Sequence, residues 1–146
     1  SAMIRKATKH DVASLADLAA SLWEGHRIEE FQAEFEDLVK SDEAACFLAD
    51  VDDTSVGFAQ CQKRHDYVEG TTTSPVGYLE GIFVRKAFRN HGLARQLLEA
   101  CERWAKAQGC REFASDCELD NEASLLFHRS VGFEEVNRVI CFRKTL

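Results

Sequence analysis

The chain has 146 residues, of which 45% are hydrophobic and 29% charged, the balance of one soluble globular domain that buries a core of its own. A net charge of −7 argues against nucleic acid as a partner. No apolar run approaches the ~20 residues needed to cross a bilayer, so a membrane partner is not expected either.

The N-terminus lacks the basic-then-apolar pattern of a signal peptide, and the expected compartment is the cytoplasm. Ser1-Ala2 ahead of Met3 reads as a cloning remnant, leaving one domain over residues 3–146. Met3–Ala7 is a short first strand. Thr8 with Asp11 forms a variant capping box, after which Val12, Leu15, Ala19 and Leu22 recur at helical spacing. Trp23-Glu24-Gly25-His26 interrupts that helix. Ile28, Phe31, Phe35, Leu38 and Val39 line one face of the next. Ala45–Val51 and Val56–Gln62 are strands joined by an Asp52-Asp53-Thr54 turn. Lys63–Ser74 is polar and reads as a hairpin loop or ragged strand end.

Val76–Val84 is the most strand-like segment, and Gly77 and Gly81 within it predict a bulge or a close backbone approach. Arg85–His91 is a polar break into a helix starting near Gly92, with Leu93, Leu97, Leu98, Cys101, Trp104 and Ala105 as its buried stripe and Gly109 as its end. Glu112–Cys117 is a short strand. Asp120 or Asn121 caps a helix carrying Leu125, Leu126 and Val131, stopped by Gly132. Val136–Arg143 is the last strand. The order β-α-α-β-β-β-α-β-α-β implies an α/β sheet with helices on both faces.

Six cysteines (Cys46, Cys61, Cys101, Cys110, Cys117, Cys141) form no CxxC pair and read as buried free thiols. The five histidines include no HxxxH pair, so no metal site is expected. From Glu24 to Glu43 eight acids stand against Arg27 and Lys40. Such a run is either a solvated helix face or an acidic wall that attracts a polycation.

Chemistry concentrates where a strand, a short polar loop and a helix follow one another: Ile82-Phe83-Val84, then Arg89-x-x-Gly92-x-Ala94. A helix N-terminus offers unpaired N–H groups and the positive end of its dipole. Small residues at Gly92 and Ala94 admit a pyrophosphate to those amides, and Arg89 adds charge. The fingerprints GxGxxG and GxxxxGK[ST] are absent.

On this loop, and on Arg64–Gly70, Ser74–Val84, Phe113–Asp116, His128–Phe133 and the Leu-Trp at Trp23, the chain resembles the GCN5-related N-acetyltransferases (GNAT). Within them it resembles the aminoglycoside 6'-N-acetyltransferases. The resemblance runs from about Met3 to Leu146. It implies a central mixed, mostly antiparallel β-sheet flanked by helices on both faces. It also implies acetyl-CoA as co-substrate, no metal, a polycationic aminoglycoside as acceptor and a homodimer. Ile82, Phe83 and Val84 would pair their backbone with the pantetheine arm. Arg89, Asn90, His91, Gly92, Leu93, Ala94 and Arg95 would hold the pyrophosphate, and Asn121 would touch the cofactor. Trp23, His26, Tyr67, Glu80 and Asp116 would shape the acceptor site.

An amine must be neutral to attack a thioester, yet amines are mostly protonated at pH 7. Glu80 and Asp116 are therefore cast as catalytic residues, first positioning the ammonium and second accepting its proton. Many relatives carry a tyrosine acid four residues before the Gly-Phe pair, where this chain has His128. That histidine is either the acid for the departing thiolate or a helix residue with a structural hydrogen bond. Where some resistance enzymes carry a glutamate, Asn137 stands. Cys117 reads as packing. Two other readings keep the cofactor: an acetyltransferase for a protein, peptide or polyamine amine, and a non-catalytic CoA-binding module.

Overall fold

The computed structural model describes residues 1–146. Strands β1 (Ala2–Lys6), β2 (Ala44–Val51), β3 (Thr54–Arg64), β4 (Val76–Val84) and β5 (Phe113–Ser115) form one sheet in that order. The first three pairings are antiparallel. The last, β4 with β5, is parallel, because helix α3 (Leu93–Ala107) carries the chain back across the sheet between them. Helices α1 (Val12–Leu22) and α2 (Ile28–Leu38) cover one face, burying Leu15, Leu18, Phe31 and Phe35 against Leu48 and Phe58. Helix α3 covers the other with Leu97, Leu98 and Cys101 against Ala59, Cys61 and Leu79. Helix α4 (Glu122–Ser130) buries no residue fully. The mixed, mostly antiparallel sheet with helices on both faces is thus the observed fold.

Local chemistry explains the ends of these elements. β1 begins one residue earlier than expected, with Ala2 opposite Val51. Asp52 and Asp53 both take positive φ (49° and 64°), the backbone hand that matches the twist of a two-residue hairpin. After β1 the capping box forms as the spacing predicts. Asp11 accepts from the Thr8 N–H at 2.8 Å and from both terminal nitrogens of Arg5 at 2.9 Å, while the Thr8 hydroxyl accepts from the His10 N–H. Arg5 also reaches Asp50 on β2, so one guanidinium ties strand, cap and neighbouring strand together. This pairing lowers the Asp11 carboxyl below its ordinary value. Asp11→Ala should lower the unfolding free energy by about 2–3 kcal/mol in urea titration, a lost cap plus charged hydrogen bonds. Because the folded-state value is the lowered one, the wild-type stabilisation is complete above the ordinary aspartate range near 3.9. It disappears as pH falls through the lowered value.

Two expectations are corrected. Val136–Arg143 is not a strand: from Glu134 to Leu146 no backbone group bonds to backbone elsewhere in the chain. The alternation suits a strand, but a strand forms only where a sheet edge receives it. Leu126 lies on the last helix as expected and is exposed, in keeping with an α4 that buries no residue fully. Cys117 is exposed together with Cys141, because β5 ends at Ser115 and the chain leaves the core there. The other four cysteines are buried free thiols, and burial pushes Cys46 up to about 12.

Candidate active site

The site grows out of an irregularity in β4. Gln60 and Cys61 on β3 face Gly81 and Leu79, so Glu80 is the extra residue of a β-bulge. The bulge turns Glu80 toward Arg64, which holds it with two nitrogens at 3.0–3.1 Å. Arg64 also lies over the Tyr78 ring, 3.5 Å from its centroid. The Tyr78 hydroxyl in turn donates to Asp116, just beyond the end of β5. The two predicted carboxylates are therefore joined in one chain, Glu80–Arg64–Tyr78–Asp116, whose formal charge is −1. Such an assembly has one negative charge left over for an ammonium. Burial pushes the Glu80 carboxyl above its ordinary value, Arg64 opposes this, and the nearby Asp116 charge adds to it. Burial and the bond to Asp116 likewise raise the Tyr78 phenol.

Trp23 meets the same strand from below. A Cβ at Gly81 would lie 2.5 Å from the Trp23 ring, so only glycine lets the indole reach the bulge. The ring stacks on Phe31 and meets Phe58 edge-on. It is thus both core and rim. Gly77, the other strand glycine, is the predicted close approach: its Cβ would stand 2.6 Å from the Phe113 ring.

On its β5 side, β4 is paired only as far as Leu79, opposite Ser115. Beyond that point the two strands part, leaving the edge of β4 from Glu80 through Ile82, Phe83 and Val84 open for another extended chain. The opening leads to the start of α3. Left-handed backbone at Asn90 (φ 68°) and Gly92 (φ 81°) curls the loop. The first bond into the helix runs from Gln96 to the Gly92 carbonyl. No partner in the chain takes the N–H groups of His91, Gly92, Leu93, Ala94 or Arg95. That is the anion-binding arrangement the sequence predicts. Arg89 is tied back by its Nε to the Val84 carbonyl at 2.7 Å, which joins the loop to the strand and leaves its terminal nitrogens available. The Arg95 guanidinium instead donates to the Ser130 carbonyl. Asn121 caps α4, accepting from the Ser124 N–H with its side-chain oxygen, so its amide nitrogen remains for a ligand.

The remaining predicted residues stand apart from the carboxylates. His26 pairs with Glu30 on α2 at 3.4 Å. Tyr67 is 77% exposed and donates to Glu69, which also accepts from Asn137. Asn137 therefore braces the Asp66–Gly70 loop, which borders an open hollow of about 320 Å³. His128 is half-buried, with its ring between the backbone of α4 and Ser115. Arg64, Tyr78 and Ser115 were not anticipated as site residues. Strand alternation gave no signal for them, because the bulge at Glu80 breaks the rule by which residues two apart share a face.

The sequence model of the acetyltransferase (GNAT) family matches residues 12–133. Aminoglycoside N(6')-acetyltransferase type 1 of Salmonella enteritidis is 43% identical over 141 residues, which span 97% of each chain. A solved structure of AAC(6')-Iy in complex with the bisubstrate analogue CoA-S-monomethyl-acetylneamine superposes with a TM-score of 0.95 at 42% identity, covering 100% of this chain and 99% of that one. The aminoglycoside 6'-N-acetyltransferase AAC(6')-Ih from Acinetobacter baumannii gives 0.93 at 35% identity, covering 100% and 99%.

Proposed function

The chain belongs to the GNAT acetyltransferase family, and from that premise we propose that it transfers the acetyl group of acetyl-CoA to the 6'-amine of aminoglycosides. The observation that carries this reading is the net-negative Glu80–Arg64–Tyr78–Asp116 chain at the point where the edge of β4 opens. An extended thioester arm fits that edge, with its diphosphate on the free amides of His91–Arg95 and on Arg89. Three or four hydrogen bonds to a charged group, at about 1.5–3 kcal/mol each, anchor it well. The acceptor ammonium sits against Glu80, which takes its proton directly or through water. The neutral amine then attacks the thioester carbonyl, polarised by a backbone N–H of the open strand, without an acyl-enzyme. The thiolate departs beside Ser115 and His128.

Trp23, His26 and Tyr67 border the acceptor, and the acidic run from Glu24 to Glu43 attracts a polycation. The reaction is cytoplasmic, where acetyl-CoA is available, and needs no metal, nucleic acid or membrane. The working form is a homodimer, supported by the exposure of Val139, Ile140 and Phe142 on the unpaired C-terminal segment.

Thiol release from acetyl-CoA tests the reading. Kanamycin or tobramycin, which carry a 6'-amine, should drive release, whereas an aminoglycoside with a 6'-hydroxyl should not. Silence across the panel would sink the reading, and preferential turnover of polyamines would move the acceptor class.

A further inference from the structure

His128 cannot meet a departing thiolate directly as it stands, because both of its ring nitrogens are engaged. Nδ1 lies 2.7 Å from the Ser124 carbonyl oxygen, which only accepts, so Nδ1 carries a hydrogen and donates it there. The opposite nitrogen, Nε2, lies 2.8 Å from the Ser115 hydroxyl. Phe133 and Phe127 pack on the ring, with centroids 5.1 and 5.9 Å away, and fix its direction. Ser115 is the last residue of β5 and faces Leu79, the last β4 residue paired with it. Its hydroxyl therefore stands where the two strands part. It has a second acceptor within reach, the Leu79 carbonyl at 3.4 Å. When the imidazole is neutral, the serine O–H points to Nε2. When the imidazole is protonated, Nε2–H donates to the serine oxygen and the serine O–H is free to turn to the Leu79 carbonyl or to a sulfur that arrives where the strands part.

We infer that Ser115 is the group that protonates the leaving thiolate, with His128 acting through it as the proton source. This rests on the reading of direct acetyl transfer between β4 and β5. As the C–N bond forms and the C–S bond breaks, the sulfur takes the Ser115 proton. Ser115 recovers one from Nε2–H of the imidazolium, which becomes the neutral Nδ1–H tautomer. The proton lost by the amine leaves through Glu80 or water, and solvent returns one to the imidazole, so the cycle closes without an external reagent. Ser115 is the catalytic donor and His128 is a positioning and supplying residue behind it.

The experiment compares Ser115→Ala, His128→Gln and the double variant by steady-state kinetics, with 15N NMR of the His128 ring. Each single change should lower kcat by about 10²-fold, the low end for general acid catalysis because a thiolate leaves readily. The KM for acetyl-CoA should stay unchanged, and the double variant should be no slower than either single one. In the wild-type protein, added CoA should shift the Nε2 resonance, and Ser115→Ala should abolish that response. Loss of rate only in His128→Gln, multiplicative losses in the double variant, or an Nε2 signal indifferent to CoA would each overturn the relay. Wild-type protein that releases no thiol with any amine overturns the acetyl-transfer reading instead, and the NMR response to CoA still decides the relay.

Discussion

Glu80→Gln should lower kcat/KM for a 6'-amino aminoglycoside by about 10²–10⁴-fold, the contribution of a positioned proton acceptor. CoA affinity should be unchanged, as the carboxylate does not belong to the diphosphate loop. The expectation concentrates on Glu80 for a physical reason. Asp116 is exposed and its carboxylate is already engaged by Tyr78, whereas Glu80 is half-buried on the bulge beside the open edge. The pH profile gives an independent check. Glu80 works only when ionised, and burial raises its pKa above the ordinary 4.5. The acid limb of kcat/KM should therefore lie above that value, with activity lost as pH falls through it. Glu80→Gln should erase that limb. Arg64→Met should move it further up, because the guanidinium is what holds the carboxyl down. A limb that stays in place in both variants, with rates near wild type, would assign the proton transfer elsewhere.

What could be read from the sequence divides along the range of the interactions. Where the chain supplies a neighbouring strand or helix, elements governed by local periodicity were legible almost to the residue. Val76–Val84 forms over the predicted span, and the Thr8–Asp11 cap forms at the predicted spacing. The unpaired N–H groups at the start of α3 were legible too, because they lie within one turn of helix. The carboxylates were placed in the site by resemblance, but what connects them was not. Arg64 comes from β3, Tyr78 from β4 and Asp116 from beyond β5, and only the register and the bulge bring them together. Bulges have no strong signature in a single chain, and the glycines at positions 77 and 81 hinted at one without placing it. The Ser115–His128 contact was hidden for the same reason: it joins a strand end to a helix face 13 residues away.

The failed strand carries the other large prediction. After Val136 packs against Gly70 and Asn137 binds Glu69, Val139, Ile140 and Phe142 point away from the rest of the chain, and Phe142 is 91% exposed. A segment with unpaired backbone and exposed apolar side chains is unstable alone, and a second copy would supply both an edge and an apolar face. In a twofold dimer each substitution acts twice. Returning Phe142 to water costs about 1.5–3 kcal/mol per site, so Phe142→Asp should cost about 3–6 kcal/mol per dimer. That corresponds to a dimer Kd weakened by about 10²–10⁴-fold, and Ile140→Asp should deepen the loss. Sedimentation across a concentration series measures it directly. Wild-type protein that stays monomeric at high concentration, or a Phe142→Asp variant as dimeric as wild type, would contradict the assignment. Because the same segment braces Glu69 and hence the Tyr67 loop, the monomeric variant should also show a raised KM for the aminoglycoside with the KM for acetyl-CoA preserved. Dimerisation would then be part of how the acceptor side of the cleft is built.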